Sequence, residues 1–381
     1  MKQLISQFLV CILCTACVWS CGSRHNVIQQ GAFEEGIIFV DPKKASITPF
    51  SRIFKDLSLV ELKSPNEFNL AIISKVVIDG DAIYALDKVF SRRINKYNLA
   101  GELQSSFSVY DSDTLDLLNL DDFFIDKGTL YVLDSEGKQA FQLTPELKVK
   151  KRFSFNFSAN KLAVEANNFH LFRNEFAFNL EDERYFYNYI STDFNGKISY
   201  KKYPFTIELG TKLRLSVKES FSSSTNNIHY TKWLNDTIFR TNKKGLEAKY
   251  FVDFGDKGAG KYSAESPETI KEKLLSDPSA FASGVSFFLD EKDFLSFQYV
   301  FNGKPQSFFL NKDSGSSYIT NFLSFGGNFV PFPVDYSNGT LIAAIDEYQI
   351  EQGFYNKLKG IDLYDEVVNN GLNYVVTFKV K

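Results

Sequence analysis

The sequence predicts an all-β fold, namely a six-bladed β-propeller of four-stranded antiparallel blades with one or two short inserted helices. Composition, an internal repeat and short apolar strands separated by turns support this prediction. The 381 residues include 39 Phe and 19 Tyr but only 10 Pro and one Met, and aromatic side chains favour strands over helices. Hydrophobic residues make up 44% and charged residues 23% of the chain, which predicts a folded core.

The first 20 residues predict a targeting segment. They carry one charge, Lys2, and an apolar stretch from Phe8 to Trp19 that is too short for a permanent membrane-spanning helix. All four cysteines lie within the first 21 positions, so no disulfide framework is expected in the folded domain. The segment Val18–Gly22 resembles the lipobox of bacterial lipoproteins, with Cys21 as the lipidated residue. An ordinary secretory signal is the alternative.

Three segments are therefore expected. Residues 1–20 are a lipoprotein signal peptide, residues 21–49 are the lipidated cysteine and a flexible tether, and residues 50–381 are the propeller. The tether is predicted because the stretch shows no sustained hydrophobic period. No later segment of the sequence is long and apolar enough to span a bilayer, so membrane contact is expected through the lipid anchor only.

A pair of similar segments defines the repeat. Val76–Asp87 aligns without gaps on Phe123–Asp134, an offset of 47 residues. Each copy contains a strand, a turn with Asp and Gly, and a second strand ending in Asp. In the first copy, Arg93–Tyr97 and Glu102–Val109 continue as the third and fourth strands. Weaker copies bring the number of units to six: Phe169–Arg173 with Asp193–Ile198, Tyr230–Arg240, Val285–Leu310 and Val334–Asp346.

Sheets of this size bury their faces by stacking radially about an axis, as in a propeller. A β-sandwich or an open β-repeat is the alternative. We expect the ring to close where Ser58–Leu62 joins the unit that holds the final strand, Tyr374–Lys379. Two helices are predicted as insertions between blades, one over Ser266–Leu275 and one near Glu347–Leu358.

The repeats and the targeting segment together resemble the six-bladed β-propeller lipoproteins of Bacteroidota, which are distantly similar to NHL and TolB-type propellers. The resemblance covers Phe50–Lys381. It implies the fold and no catalytic residues. Asn370-Gly371-Leu372 departs from the Asn-Pro-x-Leu run expected near the end of such chains. The matching elements are Cys21 in the lipobox, Ile83–Asp87 with Arg93–Tyr97, Leu130–Asp134, and Asn235–Phe239 with Tyr250–Gly255.

Composition excludes several classes of function. A formal charge of −3 excludes a strongly basic nucleic-acid binder. With three histidines and no cysteine after Cys21, His-rich or Cys-rich zinc sites and a Cys nucleophile are excluded. We expect no cofactor and no metal site. Asp111–Asp113 with Asp121-Asp122 resembles a calcium loop only superficially, and weak Ca²⁺ binding there is the alternative.

Two motifs are interpreted as structural. Gly255–Lys261 has the spacing of a phosphate-binding P-loop, but Tyr262 stands where a Ser or Thr would hold Mg²⁺. We therefore expect an inter-blade loop. The second motif is a repeated aspartate, expected to accept hydrogen bonds from turn amides once per blade. The alternative is that these residues ring the axis and bind a cation or sugar hydroxyls. They are Asp79, Asp87, Asp126 and Asp134.

Four basic residues are the candidate ligand-binding residues. Lys88, Arg92 and Lys138 lie in loops that link second to third strands, where the blades differ from one another. Arg173 replaces the repeated Asp in the third unit. We expect these side chains to face the central funnel; solvated loop charges are the alternative. Tyr230 and Trp233 could stack on a sugar, but aromatic residues in a Phe-rich propeller are expected in the core.

The sequence thus predicts a non-catalytic, monomeric, lipid-anchored propeller of the cell envelope that binds a glycan, peptide or envelope protein. The periplasmic side is favoured over the cell surface because no acidic run follows Cys21. One alternative is a glycosidase or lyase, for which two acidic groups would face each other across a deep channel within about 10 Å. A filled or shallow channel would favour binding. A second alternative is a scaffold that pairs through its blade edges.

Overall fold

The computed structural model describes residues 31–34, 36–110, 116–174, 182–205, 217–224, 227–263, 265, 267–345, 350–351 and 357–381. Six four-stranded antiparallel blades form a propeller ring, which confirms the predicted fold over a sandwich. The predicted signal segment and Cys21 lie outside the described residues. Within the described part of the chain, no helix has the length and hydrophobicity needed to span a membrane.

Each blade runs from an inner strand at the ring axis to an outer strand at the rim. The N-terminal strands are β1 (Gly31–Glu34), β2 (Ile37–Val40), β3 (Ser46–Pro49) and β4 (Phe54–Glu61). Blade 1 is β5 (Lys75–Asp79), β6 (Ala82–Asp87), β7 (Arg93–Asn98) and β8 (Leu103–Ser108). Blade 2 is β9 (Asp122–Asp126), β10 (Thr129–Asp134), β11 (Gln139–Leu143) and β12 (Val149–Ser154). Blade 3 is β13 (Lys161–Glu165), β14 (Asn168–Phe172), β15 (Tyr187–Asp193) and β16 (Ile198–Pro204).

The remaining blades carry additions. Blade 4 is β17 (Phe221–Ser224), β18 (Asn227–Tyr230), β19 (Thr237–Asn242) and β20 (Gly245–Asp253). Blade 5 is β21 (Ser283–Asp290), β22 (Phe294–Phe301), β23 (Lys304–Asn311) and β24 (Ser317–Phe325), with β25 (Asn328–Val330) at its edge. Blade 6 is β26 (Asp335–Ser337), β27 (Thr340–Ala344), β30 (Tyr374–Val380) and β4, while β28 (Lys357–Leu358) and β29 (Ile361–Asp362) form a separate hairpin. The α-helices are α1 (Phe50–Ile53) and α2 (Pro267–Ser276).

The repeat offset is visible in the register of the first two blades. Val77 pairs with Tyr84 between β5 and β6, and Phe124 pairs with Tyr131 between β9 and β10. Both residues of the second pair follow those of the first by 47 positions. The same side chains therefore occupy the same places in consecutive blades, as the sequence predicts.

The ring closes between the two ends of the described chain. The outer strand of blade 6 is β4, which pairs antiparallel with β30 in the register Leu59 to Val376. Across this junction the rings of Phe54 and Phe378 lie 4.8 Å apart and are almost fully buried. The structure thus confirms the predicted closing strand, which begins a few residues earlier than expected.

The segment before the closing strand runs along the rims of two blades. The β1–β2 hairpin extends blade 4, because Ile37 of β2 pairs in parallel with Phe251 of β20. Strand β3 then pairs in parallel with β24 of blade 5. We call β1 to β4 the N-terminal belt. Residues 31–49, which the sequence assigns to the tether, thus include three strands that belong to these sheets. The ring strands that the structure describes all lie from Gly31 onward.

The first of the two predicted helices is confirmed. Helix α2 covers Pro267–Ser276 and packs Ile270 into a small apolar cluster with Ala259 and Phe281, between blades 4 and 5. Most of the second predicted helix, near Glu347–Leu358, lies outside the described residues. Of its described positions, Ile350 and Glu351 are helical, whereas the last two form the short strand β28.

Candidate functional site

Four blades meet at the axis through a closed set of ion pairs. Lys75 Nζ lies 2.9 Å from Asp122 Oδ1 and 3.1 Å from Glu219 Oε2. Lys161 Nζ lies 3.0 Å from Glu219 Oε2 and 3.7 Å from Asp122 Oδ1. Each cation therefore contacts both carboxylates. Three of these residues begin the inner strands β5, β9 and β13, and the fourth stands two positions before β17. We call the four residues the axial quartet.

The quartet is buried and hydrogen-bonded. The side chains of Asp122 and Glu219 are 0% and 7% exposed, and that of Lys75 is 12% exposed. The Leu162 N–H donates to Asp122, and the Ser220 N–H donates to Glu219. Burial opposes ionisation of Lys75, but attraction to the two carboxylates outweighs it and raises the pKa of Lys75. Burial also opposes ionisation of Glu219, but attraction to the two lysines outweighs it and lowers the pKa of Glu219. Lys75 and Glu219 therefore stay charged near neutral pH.

A cavity of about 240 Å³ lies at the opposite end of the inner strands. Strand β5 shows this location, because it begins with Lys75 of the quartet and ends with Asp79, which lines the cavity. Blades 1, 2, 4, 5 and 6 contribute to its wall. We call it the axial cavity. Its polar and apolar lining includes Asp79, Ile125, Ser223, Glu291, Asp335 and Ser337.

Hydrogen bonds between side chains and backbone fix the wall of the axial cavity. The Ile78 N–H donates to Asp335 Oδ2 at 2.8 Å, and the Gly80 N–H donates to Ser337 Oγ at 3.3 Å. These two bonds join the inner strands of blades 1 and 6. On the far side, the N–H of Asp290 donates to Ser224 Oγ at 2.8 Å and joins blades 4 and 5. The cavity is thus a preformed part of the ring.

One carboxyl group of the axial cavity has a strongly shifted pKa. Burial raises the pKa of Asp335 to about 7, although the hydrogen bond from the Ile78 N–H opposes the rise. Burial also raises the pKa of Asp79. Near neutral pH, Asp335 is therefore present in both protonation states, so it can donate or accept a hydrogen bond. A titratable group of this kind in a concave site is typical of a functional site.

The predicted ligand-binding residues do not line this cavity. Lys88 lies at the quartet end of blade 1, because its N–H donates to Ser74 Oγ, next to the quartet lysine. Arg92 and Lys138 occupy the corresponding loops and are partly buried. Whether these three residues contact a ligand stays a prediction. Of the cavity residues, the sequence singles out Asp79 alone, as one of the repeated aspartates. The others carry no sequence signal, because the ends of inner strands come together only when the ring forms.

Arg173 belongs to the interior of blade 3. Its side chain is fully buried, and its guanidinium carbon lies 5.5 Å from the ring centre of Phe157 and 5.6 Å from that of Phe205. It also donates to the carbonyl oxygen of Tyr185. Because these contacts surround the guanidinium, Arg173 does not face an open funnel as the sequence predicts.

The repeated aspartates divide into two groups. Asp87 is fully buried and accepts hydrogen bonds from the backbone N–H groups of Val89, Phe90 and Ser91. Asp134 is likewise buried and accepts from the Gly137 N–H. These second-strand aspartates hold loops, as expected. The aspartates at the ends of the first strands, Asp79 and Asp126, are partly buried, and Asp79 lines the axial cavity.

The backbone of the glycine-rich loop at 255–261 binds the side-chain carboxylate of Asp236. Asp236 Oδ1 accepts from the Ala259 N–H at 3.3 Å, and Oδ2 accepts from the Gly260 N–H at 3.0 Å. A Cβ atom added to Gly258 would lie 2.9 Å from Asp236 Oδ2. The loop amides are therefore occupied by a carboxylate, which agrees with the interpretation as an inter-blade loop.

The two remaining features from the sequence are the aromatic residues considered for sugar stacking and the acidic loop compared with a calcium site. Tyr230 is fully buried beside Tyr189 and Phe221, and Trp233 packs edge-on against Phe281. Of the acidic loop compared with a calcium site, residues 111–113 lie outside the described residues. Among the residues that the structure does describe, no group of three or more His, Cys, Asp or Glu side chains could hold a metal ion.

Comparisons with known proteins agree with the propeller. A family model with the description "Domain of unknown function (DUF4934)" matches residues 37–370. No curated protein matches the sequence. A Bacteroides fragilis protein described as exported has a TM-score of 0.68 at 12% identity, covering 91% of this chain and 99% of its own. At this identity the likeness shows the fold alone, and it fits the propeller group of Bacteroidota that the sequence resembles.

Two further solved structures are more distant. A member of the DUF4221 family from Bacteroides vulgatus has a TM-score of 0.47 at 8% identity, covering 86% of this chain and 97% of its own. Virginiamycin B lyase from Staphylococcus aureus has a TM-score of 0.41 at 11% identity, covering 76% of this chain and 81% of its own.

Proposed function

This chain belongs to the DUF4934 family, and we propose from its structure that it is a non-catalytic binding protein of the bacterial cell envelope. The ligand is a glycan, a peptide or a segment of a protein partner. One group of this ligand enters the axial cavity. The observation that carries the proposal is the asymmetry of the ring axis, which has the buried quartet at one end and the cavity at the other.

The chemistry of the cavity fits a ligand with hydrogen-bond donors. Its carboxyl groups, Asp79, Glu291 and Asp335, accept hydrogen bonds from hydroxyl or amino groups. Apolar side chains such as Ile125 cover the remaining wall. The volume of about 240 Å³ is below that of typical sites for drug-sized ligands, which begin at about 300 Å³. It therefore accepts one sugar ring or one side chain of a longer ligand.

The envelope location is supported by the start of the sequence and by the fold. The targeting segment ends in a lipobox whose Cys21 would carry lipid, and several acyl chains would hold the domain at a membrane. The B. fragilis protein with the same fold is described as exported. The absence of an acidic run after Cys21 favours the periplasmic side, and the protein is proposed to act as a monomer.

A second candidate function uses the same carboxyl groups. With a pKa raised to about 7, Asp335 could donate a proton while a neighbouring carboxylate stays ionised. This division of roles is the one that a glycosidase needs. Because the quartet occupies the other end of the axis, the cavity cannot run through the ring as a deep channel, so binding is favoured.

A glycan array and a peptide array test the proposal. Residues 31–381 contain all the ring strands that the structure describes and are the material to be applied. Ser223→Trp fills the cavity from an exposed wall position, and Ser314→Trp in an exposed turn of blade 5 is the matched control. We expect array binding that Ser223→Trp weakens at least about tenfold, whereas the control retains it.

Binding that persists with the filled cavity would contradict the proposed site. Turnover of an arrayed glycan, abolished by Asp335→Asn, would establish the enzyme instead. Lipidation is tested separately by mass spectrometry of the N-terminal peptide from cells. A mature chain that starts elsewhere than at an acylated Cys21 would refute the anchor while leaving the cavity unaffected.

A further inference from the structure

The outer strands of blades 2 and 3 carry an uneven distribution of charge. Strand β12 contains Lys150, Lys151 and Arg152, strand β16 contains Lys201 and Lys202, and neither strand contains Asp or Glu. The other outer strands are uncharged or carry both signs, as in β4 and β20. Because the whole chain has a formal charge of −3, these cations are a local concentration. We call these five residues the basic edge.

The two halves of the basic edge adjoin each other. Lys151 of blade 2 lies with its Nζ 5.9 Å from the ring centre of Phe194 in blade 3. A Cβ added to Gly196, in the turn before β16, would lie 3.1 Å from the carbonyl oxygen of Ser154 at the end of β12. Neighbouring rims are thus in contact, and Lys151 lies where they meet.

Aromatic rings support the lysine side chains of the basic edge. Lys151 Nζ lies 4.7 Å from the ring centre of Phe153, and Lys201 Nζ lies 4.5 Å from that of Tyr187. Lys150, Lys151, Arg152 and Lys201 are exposed. Packing of the aliphatic stems on rings orders such side chains, and Lys201 Nζ also donates to the Arg184 carbonyl oxygen at 3.0 Å. Arg152 has an exposed partner, Asp116, at 3.5 Å, so the surface keeps an excess of positive charge.

The basic edge lies next to the blade that carries the belt. Strand β16 touches the start of β20, since a Cβ on Gly245 would meet the ring of Tyr200 at 2.5 Å. The β1–β2 hairpin runs along β20, and Gly31 lies beside Val40 at the other end of that strand. Gly31 is ten positions from Cys21, so the chain between them reaches at most about 36 Å, whereas a strand of nine residues such as β20 is about 30 Å long. The chain is therefore long enough for a lipid on Cys21 to share a bilayer with the rim of blade 3.

We propose that the basic edge is a docking surface for the anionic headgroups of the membrane that carries the lipid anchor. This inference rests on the proposed lipidation for the location of the membrane and is independent of the axial cavity. Lysine and arginine clusters bind anionic bilayers through headgroup attraction, and each cation strengthens binding by about fivefold. Docking of the rim lays the ring axis along the bilayer, so the axial cavity opens sideways into the surrounding compartment.

Vesicle cosedimentation of residues 31–381 tests the docking surface without any contribution from Cys21. Vesicles of phosphatidylcholine are compared with vesicles of equal parts phosphatidylcholine and phosphatidylglycerol, at low and high NaCl. We expect binding to the mixed vesicles alone, and its loss at high salt. The triple variant Lys150→Gln, Lys151→Gln, Lys201→Gln should bind about 100-fold more weakly.

Two variants make this result specific. The control triple Lys55→Gln, Lys304→Gln, Lys379→Gln removes the same charge from exposed positions on blades 5 and 6 and should retain nearly all binding. Lys150→Arg, Lys151→Arg, Lys201→Arg keeps the charge and should bind like the unmodified protein, so misfolding of the Gln triple is separated from loss of charge. Melting curves of all variants accompany the assay.

Several outcomes would overturn the inference. Equal binding to both vesicle types, or equal loss in the control triple, would remove the role of the basic edge. If the Gln triple self-associates while its vesicle affinity is unchanged, the cations serve only to keep exposed strand edges apart. Binding to heparin in the absence of any vesicle binding would assign the surface to an acidic polysaccharide. None of these outcomes depends on whether the arrays identify a ligand for the cavity.

Discussion

Lys75 Nζ lies 2.9 Å from Asp122 Oδ1, and the two residues are 47 positions apart, which is the offset of the repeat. They begin the inner strands of blades 1 and 2, so neighbouring blades carry opposite charges at the same place. Lys161 and Glu219 continue the alternation into blades 3 and 4. Opposite charges at equivalent positions favour one alignment of each blade against the next, since a shifted blade would leave a buried charge without its partner.

Removal of one quartet charge should destabilise the ring strongly. We expect Lys75→Met to lower the free energy of unfolding by about 3–5 kcal/mol, because two carboxylates would keep only one lysine between them. Guanidinium denaturation measures this loss. Lys43→Met, which breaks an exposed pair with Asp256, should cost less than about 1 kcal/mol. Equal losses in the two variants would show that the quartet does not hold the blades together.

Asp335 should make stability depend on pH in a defined direction. Its pKa is raised by burial to about 7 in the folded state, above its usual value of about 3.9 in an unfolded chain. The folded state therefore binds the proton more tightly, and stability is lost as the pH rises from about 4 through 7. Asp335→Asn should remove this loss and be more stable than the unmodified protein at pH 8, by roughly 4 kcal/mol. Parallel pH dependences of the two proteins would contradict the assignment.

His229 should make stability depend on pH in the opposite direction. It is 1% exposed, and among the described residues neither of its ring nitrogens has a hydrogen-bond partner, although Asp290 Oδ2 lies 3.9 Å from Nε2. Burial lowers the pKa of His229 to about 4. Because the unfolded chain takes up this proton near pH 6.5, stability is lost as the pH falls from about 6.5 to 4. His229→Phe should retain the packing against Phe288 and be more stable at pH 4.5 by roughly 2 kcal/mol, with little difference at pH 8. Thermal melting curves of both proteins at pH 4.5 and pH 8 measure this difference in stability.

The carboxylate of Asp236 should be required for the glycine-rich loop. We expect Asp236→Ala to lower the free energy of unfolding by about 1–3 kcal/mol, because the buried Ala259 N–H and the partly buried Gly260 N–H lose their acceptor. Gly258→Ala should also destabilise, through its close approach to the same carboxylate. Asp256→Ala, at an exposed position in the loop, is the control. A fully stable Asp236→Ala protein would mean that the loop is held by other contacts.

The sequence predicts the blades of the ring but not the ion pairs of the axial quartet. Val76–Asp87 and its copy define the blade because strand alternation and turns are local. The quartet lies just outside that alignment, since Lys75 and Asp122 immediately precede the two copies. If the alignment is extended by one position, Lys75 is aligned with Asp122. This change of charge predicts an ion pair only when neighbouring inner strands are known to touch at the axis.

Other features depend on distant pairing that no short pattern records. Strands β2 and β3 are four residues each and join the rims of blades whose sequence is more than 200 positions away, so their stretch shows no period of its own. Arg173 stands at the position of a repeated Asp, which predicts a loop charge. The aromatic rings of Phe157 and Phe205 that enclose it come from other parts of the chain, and this enclosure places it in the core.

The closing pair of strands has a consequence for how the molecule is made. Strand β4 (Phe54–Glu61) has its ladder partner in β30 (Tyr374–Val380), which the ribosome makes about 300 residues later. Strand β4 therefore stays without this partner until every other described blade strand has been made. A chain that stopped before Tyr374 would carry five four-stranded blades and an open sixth, so closure of the ring depends on a strand far along the chain.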